Sequence, residues 1–181
     1  MAETFLQLTP QERSEIYRAL APQLGRTPVV LEKDVWVCWV LQALFTHAGR
    51  LPMAFKGGTS LSKVYKIIDR FSEDIDLTYD IREVVPELLR DGNPIPASPS
   101  QAKKITDRVR DRLPQWIEGE VVPILLSALQ RDGVQANLSL AGNEKEKLIL
   151  AYEPIKVGTG YAASTIQLEF GGRATGEPHQ R

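Results

Sequence analysis

Two stretches of this chain bring together residue types able to handle a phosphate and a cation. Gly57-Gly58-Thr59-Ser60 stands where a short apolar run, Met53-Ala54-Phe55-Lys56, gives way to helical spacing at Leu61, Val64, Tyr65 and Ile68. A glycine pair between a strand and a helix lets the backbone approach a ligand closely. It also aims free amide groups, at the positive end of a helix, toward an anion. The outline is a phosphate site, though not a Walker A loop, because Gly57 to Lys63 lacks the Gly-Lys-Ser/Thr ending that cradles a triphosphate. The same residues also describe an ordinary tight connection capped by Thr or Ser, so the turn alone assigns no ligand.

The second stretch is Asp74-Ile75-Asp76-Leu77. Strand periodicity throws both carboxylates to one face and both aliphatic side chains to the other. Aspartate is depleted in strands, and like charges about 7 Å apart repel unless a cation or solvent neutralises them. Magnesium (Mg2+) suits such a ledge, since it takes carboxylate oxygens together with waters and substrate phosphates. A solvated edge strand is the competing account. Glu169 offers a third acid between Leu168 and Phe170, in a run that alternates with Ile166. If that strand pairs beside Asp74 and Asp76, three carboxylates share a face, as a site for two metals about 3.5–4 Å apart requires.

The elements that must position these residues are legible in outline. Thr9-Pro10-Gln11-Glu12 reads as an N-cap, a first-turn proline and a capping-box acid, opening a helix that Gly25 ends. A second helix is expected from near Pro28 to Gly49, with Leu31, Val35, Cys38, Trp39, Gln42 and Phe45 as its buried face. Trp36, Trp39 and Cys38 read as core. After the strand from Phe71 to Asp80, Val84, Val85, Leu88 and Leu89 suggest a short helix. A Pro-rich loop from Asn93 to Pro99 follows, then helix from Ser100 to Gly133 with a break near Pro114. Val134–Leu140, Lys147–Tyr152 and Ser164–Phe170 read as three more strands, and residues 171–181 as a loop or tail. The fold class is α/β (α+β), a mixed sheet flanked by helices.

Composition removes other classes. One cysteine allows no internal disulfide, and His47, His179 and Cys38 make no metal-binding cluster at zinc-ligand spacing. The longest apolar run, Val35 to Leu41, is far short of the roughly 20 residues of a membrane span, and no export segment is read at the start. The expectation is a cytoplasmic protein without membrane contact. Lysine and arginine number 22 against 23 acids, so a polyanion must be held by a local patch. The best patch is Lys104, Arg108 and Arg112, with Lys103 and Arg110 nearby. Asp107 and Asp111 interrupt it, and it reads as a solvated helix face in preference to an RNA-binding one.

Taken together, Gly-Gly before a helix, Asp-x-Asp, and a lone acid between apolar residues resemble the polymerase-beta-type nucleotidyltransferase superfamily. More narrowly, four segments are similar to the AbiEii/AbiGii toxin family: Glu32-Lys33-Asp34-Val35-Trp36-Val37, Phe55-Lys56-Gly57-Gly58-Thr59-Ser60-Leu61-Ser62-Lys63, Arg70-Phe71-Ser72-Glu73-Asp74-Ile75-Asp76-Leu77 and Ile166-Gln167-Leu168-Glu169-Phe170. The resemblance implies a nucleotidyltransferase toxin of a bacterial toxin–antitoxin or phage-defence (abortive infection) pair. It would use an NTP and Mg2+, act on the acceptor end of tRNA or another RNA, and have a cognate antitoxin as partner. Gly57, Gly58, Thr59 and Ser60 would hold phosphates, Lys63 would neutralise triphosphate charge, and Asp74 and Asp76 would hold metal. Glu169 matches the third acid by pattern. Relatives continue into a helical C-terminal half, so residues 1–181 correspond to the nucleotidyltransferase core. Two other readings stay open: a transferase acting on a protein or small molecule, and an inactive NTP-binding or antitoxin-binding remnant.

Overall fold

The structure, a computed structural model, describes residues 5–46, 51, 53–57, 60, 65, 74–89, 92–93, 95–155 and 163–173. After a 3-10 turn at Phe5–Gln7, helix α1 spans Pro10–Leu24. The capping box is present: the Thr9 hydroxyl accepts from the Glu12 amide at 3.3 Å while the Glu12 carboxylate accepts from the Thr9 amide at 2.9 Å. Gly25, at φ +60°, closes the helix in the left-handed conformation that a residue without Cβ adopts freely.

Helix α2, Pro28–Phe45, ends before the expected Gly49, and His47 lies outside the described residues. Its buried face also differs. Trp36, Val37, Trp39, Val40, Ala43 and Leu44 are buried together with Glu32 and Lys33, whereas Cys38 and Gln42 are exposed. The expected register fails because this helix is apolar nearly all round, so spacing alone does not select a side. Cys38 is therefore a surface residue. Tyr65, read as an apolar helical position, is 66% exposed.

The sheet has the order β1-β2-β5-β4-β3, built from β1 Met53–Lys56, β2 Asp74–Asp80, β3 Ala136–Ala141, β4 Lys147–Tyr152 and β5 Thr165–Arg173. Only β2 and β5 run parallel; the other neighbours are antiparallel. A parallel pair needs a long connection, and here it holds α3 (Ile81–Val84), a 3-10 turn (Pro86–Leu88), α4 (Pro99–Trp116), α5 (Val122–Asp132) and the strands β3 and β4. One face of the sheet carries Ile75, Leu77, Tyr79, Leu148, Leu150, Ile166, Leu168 and Phe170, all buried in a single core with α2, α4 and α5. A smaller cluster of Tyr17, Leu31 and Ile155 ties α1 to α2.

Pro114 does not break its helix. The irregularity falls just beyond it, in a wide π-helical turn at Ile117–Val121, where the Ile117 amide is shared between the carbonyls of Leu113 and Pro114. The wide turn keeps Ile117 and Val121 on the buried side together with Leu113. Strand β5 runs past the expected end at Phe170, because Gly171, Gly172 and Arg173 continue the pairing with Thr78, Tyr79 and Asp80. Residues 174–181, with His179, lie outside the description.

Helices α2 and α5 are joined by a buried polar contact. The Trp39 indole N–H donates to Asp132 Oδ2 at 2.9 Å, and Arg131 donates to both Asp132 oxygens at 2.8 and 2.9 Å. The Arg131 hydrogen bonds, helped by Trp39, hold the Asp132 carboxyl below its ordinary 3.8. A lowered carboxylate stabilises the fold above its unfolded value, and that stabilisation disappears as pH falls through the folded value. Asp132→Ala is expected to cost about 2–3 kcal/mol at neutral pH by leaving a buried indole N–H without an acceptor and Arg131 without its partner. Urea titrations should show the gap between wild type and variant narrowing as pH falls well below 3.8; a gap independent of pH would mean that the carboxylate charge contributes nothing.

Candidate active site

β1 delivers Lys56 and then Gly57 to the second face of the sheet, the face away from the large core. In the register, Lys56 stands opposite Asp76, Asp76 opposite Glu169, and Glu169 opposite Lys147. Residues paired across neighbouring strands point to the same face, so four strands contribute one transverse row: lysine, aspartate, glutamate, lysine. The adjacent row holds Asp74 beside Gln167. The condition that the sequence left open for Glu169 is therefore met by the backbone: its strand pairs directly with that of the acid pair.

The glycine turn and the acid pair are in contact. Gly57 has φ +77°, and a Cβ built there would collide with the Asp76 carboxylate, its nearest neighbour being Oδ2. Glycine thus serves twice, adopting a conformation that other residues rarely take and making room for the acid. Gly171 does the same for Lys56: a Cβ on it would stand 2.8 Å from Lys56 Nζ, so the ammonium lies over the β5 backbone. Gly57 and Ser60 are in the helical turn after β1, and Ser60 is buried. Gly58, Thr59 and Lys63 lie outside the described residues.

Glu169 is held by two hydrogen bonds within the chain. Its Oε1 accepts from Lys147 Nζ at 2.7 Å and from the Gln167 amide at 2.6 Å. The same amide reaches Asp74 Oδ1 at 3.4 Å, a single donor bridging two like charges. The hydrogen bond to Glu169, with Glu146 and Asp74 adding smaller attractions, holds the Lys147 ammonium above the ordinary lysine value.

The donors fit a hard divalent cation such as Mg2+. They are carboxylate oxygens on one face, and Asp76 sits in a cradle that a Cβ at Gly57 would fill. Asp74 and Asp76, two residues apart on β2, are the side chains that could hold such a cation. Glu169 is turned to Lys147, and among the described residues no three acidic, histidine or cysteine side chains are gathered into a set that would hold a metal ion. Two cavities, of about 340 and 550 Å³, lie elsewhere: one against Tyr79, Phe170 and α4, the other between α1 and Gln135.

The sequence reading missed Lys56, Lys147 and Gln167. Lys56 had a signal in its position immediately before the glycine pair. Lys147 and Gln167 had only their parity, opposite to the apolar positions of their strands. The arginines of the basic face of α4 are engaged within the chain: Arg112 and Arg108 approach Glu87 at 2.8 and 3.9 Å, and Arg110 approaches Glu144 at 2.7 Å. No described helix is long and apolar enough to cross a membrane.

A family model described as nucleotidyl transferase AbiEii toxin, type IV TA system, matches residues 39–181. No curated protein and no solved structure matches the chain.

Proposed function

Since the chain belongs to the AbiEii nucleotidyl transferase toxins of type IV toxin–antitoxin systems, we propose that it transfers a nucleoside monophosphate from an NTP to a hydroxyl of an RNA, with tRNA as the first acceptor to test. The observation that carries this reading is the meeting of the Gly57 turn with Asp76, in the same row as Glu169. Phosphoryl chemistry asks a protein mainly for positioning and charge compensation, and those are what this face offers. Gly57, Gly58, Thr59 and Ser60 hold the phosphates through backbone and hydroxyl donors, Lys63 neutralises triphosphate charge, and Asp74 and Asp76 fix the cation, with Glu169 as third acid. Bound Mg2+ would supply charge stabilisation at the entering and leaving oxygens. The acceptor hydroxyl attacks the α-phosphorus in line, the bond to the β-phosphate oxygen breaks, and pyrophosphate leaves. The setting we propose is the bacterial cytoplasm, in phage defence by abortive infection, with a cognate antitoxin restraining the enzyme.

Calorimetry tests the binding half of the proposal. NTP should bind in the presence of Mg2+ and lose about tenfold or more in affinity on chelation or in Lys63→Ala, which removes one positive charge that would compensate the triphosphate. Affinity unchanged in Lys63→Ala would remove the end of the turn from the site, and affinity indifferent to chelator would remove the acids.

A further inference from the structure

Lys147 opens β4 and stands in register with Glu169, which stands in register with Asp76. Among the described residues two donors reach Glu169, the Lys147 ammonium and the Gln167 amide, and both fall on Oε1. A carboxylate oxygen has about two lone-pair sites, so these two contacts occupy that atom. The acid that register brings beside Asp76 is thus committed to a cation that the chain carries itself.

Fold stability is a weak reason for this pair. Its side chains are 31% and 37% exposed, and a half-exposed ion pair contributes little after screening and side-chain ordering. The sheet beneath is already closed by the β4–β5 ladder and by Leu148, Leu150, Ile166 and Leu168 in the core. The consequence for a ligand is larger. A divalent cation at Glu169 must either displace the ammonium from Oε1 or bind Oε2 beside a positive charge, and a triphosphate bound on this face would offer that ammonium an anionic partner, for which lysine is well suited as a compact point charge.

We infer that Lys147 is a built-in counter-cation of this site, a positioning residue that weakens the hold of Glu169 on a divalent cation until a triphosphate gives its ammonium another partner, so that cation and nucleotide bind cooperatively. The inference rests on the nucleotidyl-transfer reading above. Linkage makes the coupling reciprocal: whatever the nucleotide adds to cation affinity, the cation adds to nucleotide affinity. A lysine that merely stapled β4 to β5 would show no such coupling.

The experiment measures Mn2+ binding to the whole chain, first alone and then with α,β-methylene triphosphate analogues. The proteins are wild type, Lys147→Met, Glu169→Gln and the double variant, with melting curves confirming that each is folded. Methionine keeps the aliphatic stem; Lys147→Gln is the second choice should it not fold. Without nucleotide, Lys147→Met should bind Mn2+ about tenfold tighter than wild type, within the usual 5–150-fold range of such couplings. The cooperativity between Mn2+ and analogue present in wild type should fall toward none. In the Glu169→Gln background, removing Lys147 should change Mn2+ affinity little, because the effect passes through that carboxylate. Mn2+ binding unchanged or weaker in Lys147→Met overturns the inference. So does an equal gain in the Glu169→Gln background, which would be plain charge removal. A wild type that binds neither Mn2+ nor any analogue overturns the nucleotidyl-transfer reading and this inference with it. The two failures are distinct, one being read in the wild type and the other in the variants.

Discussion

Asp76→Asn is expected to reduce nucleotide transfer about a thousandfold, equivalent to about 4 kcal/mol of transition-state stabilisation at 1.36 kcal/mol per factor of ten, while leaving the melting temperature without metal within about a degree or two of wild type. Asp74→Asn should behave alike. Loss of activity follows because each change removes a cation-binding oxygen from a two-acid ledge. The near-constant stability follows from the row itself: Asp76 and Glu169 are flanked by Lys56 and Lys147, so the charges are locally compensated and the loss of one acid relieves as much repulsion as attraction. Wild type should also gain stability from Mg2+ plus NTP by ligand linkage, and both variants should lose that gain. Melting several degrees lower without metal, together with a retained response to Mg2+ and NTP, would make Asp74 and Asp76 structural residues.

Gly57→Ala carries the second large effect. At φ +77° an L side chain is strained, a cost of about 1–3 kcal/mol, and the added Cβ enters the space of the Asp76 carboxylate. Either the turn or the acid must move. A displacement of about 1 Å at a reacting centre costs on the order of a hundredfold in rate, so transfer should fall by about that factor or more. The melting temperature should fall as well, by about 2–4 °C per kcal/mol for a domain of this size. Gly133→Ala is the control. Gly133 has φ +63° with nothing within 4 Å of the added Cβ, so it should lose stability alone and keep its activity. Equal activity losses in the two variants would mean that the turn acts through the fold and not through Asp76.

Much of this site was legible in the sequence because strand periodicity is a strong rule: Asp74 and Asp76 alternate with Ile75 and Leu77, and Glu169 alternates with Leu168 and Phe170. Parity fixes the face, but it does not fix which strands are neighbours. That β5 pairs with β2 in parallel, placing Glu169 against Asp76, depends on a long connection through α3, α4, α5, β3 and β4 that no local pattern states. For the same reason Lys147 and Lys56 were given no role, although they supply compensating charge that the sequence reading assigned to metal or solvent alone. The face of α2 was misread because its residues are apolar on nearly every side, so burial is decided by α1, α5 and the sheet, not by spacing. Gly171 was taken for the start of a tail because a strand that ends in Gly-Gly carries no apolar alternation; its place beneath Lys56 exists only in the folded sheet.

The most direct test of the central claim is a pair of incubations of the purified chain with Mg2+ and tRNA, one with α-labelled and one with γ-labelled NTP, repeated with Asp76→Asn. The account expects label from the α-phosphate in the RNA, label from the γ-phosphate released as pyrophosphate, and neither signal above background in the variant. Transfer of γ-label to an acceptor, or incorporation of α-label that Asp76→Asn leaves at the wild-type rate, would contradict it.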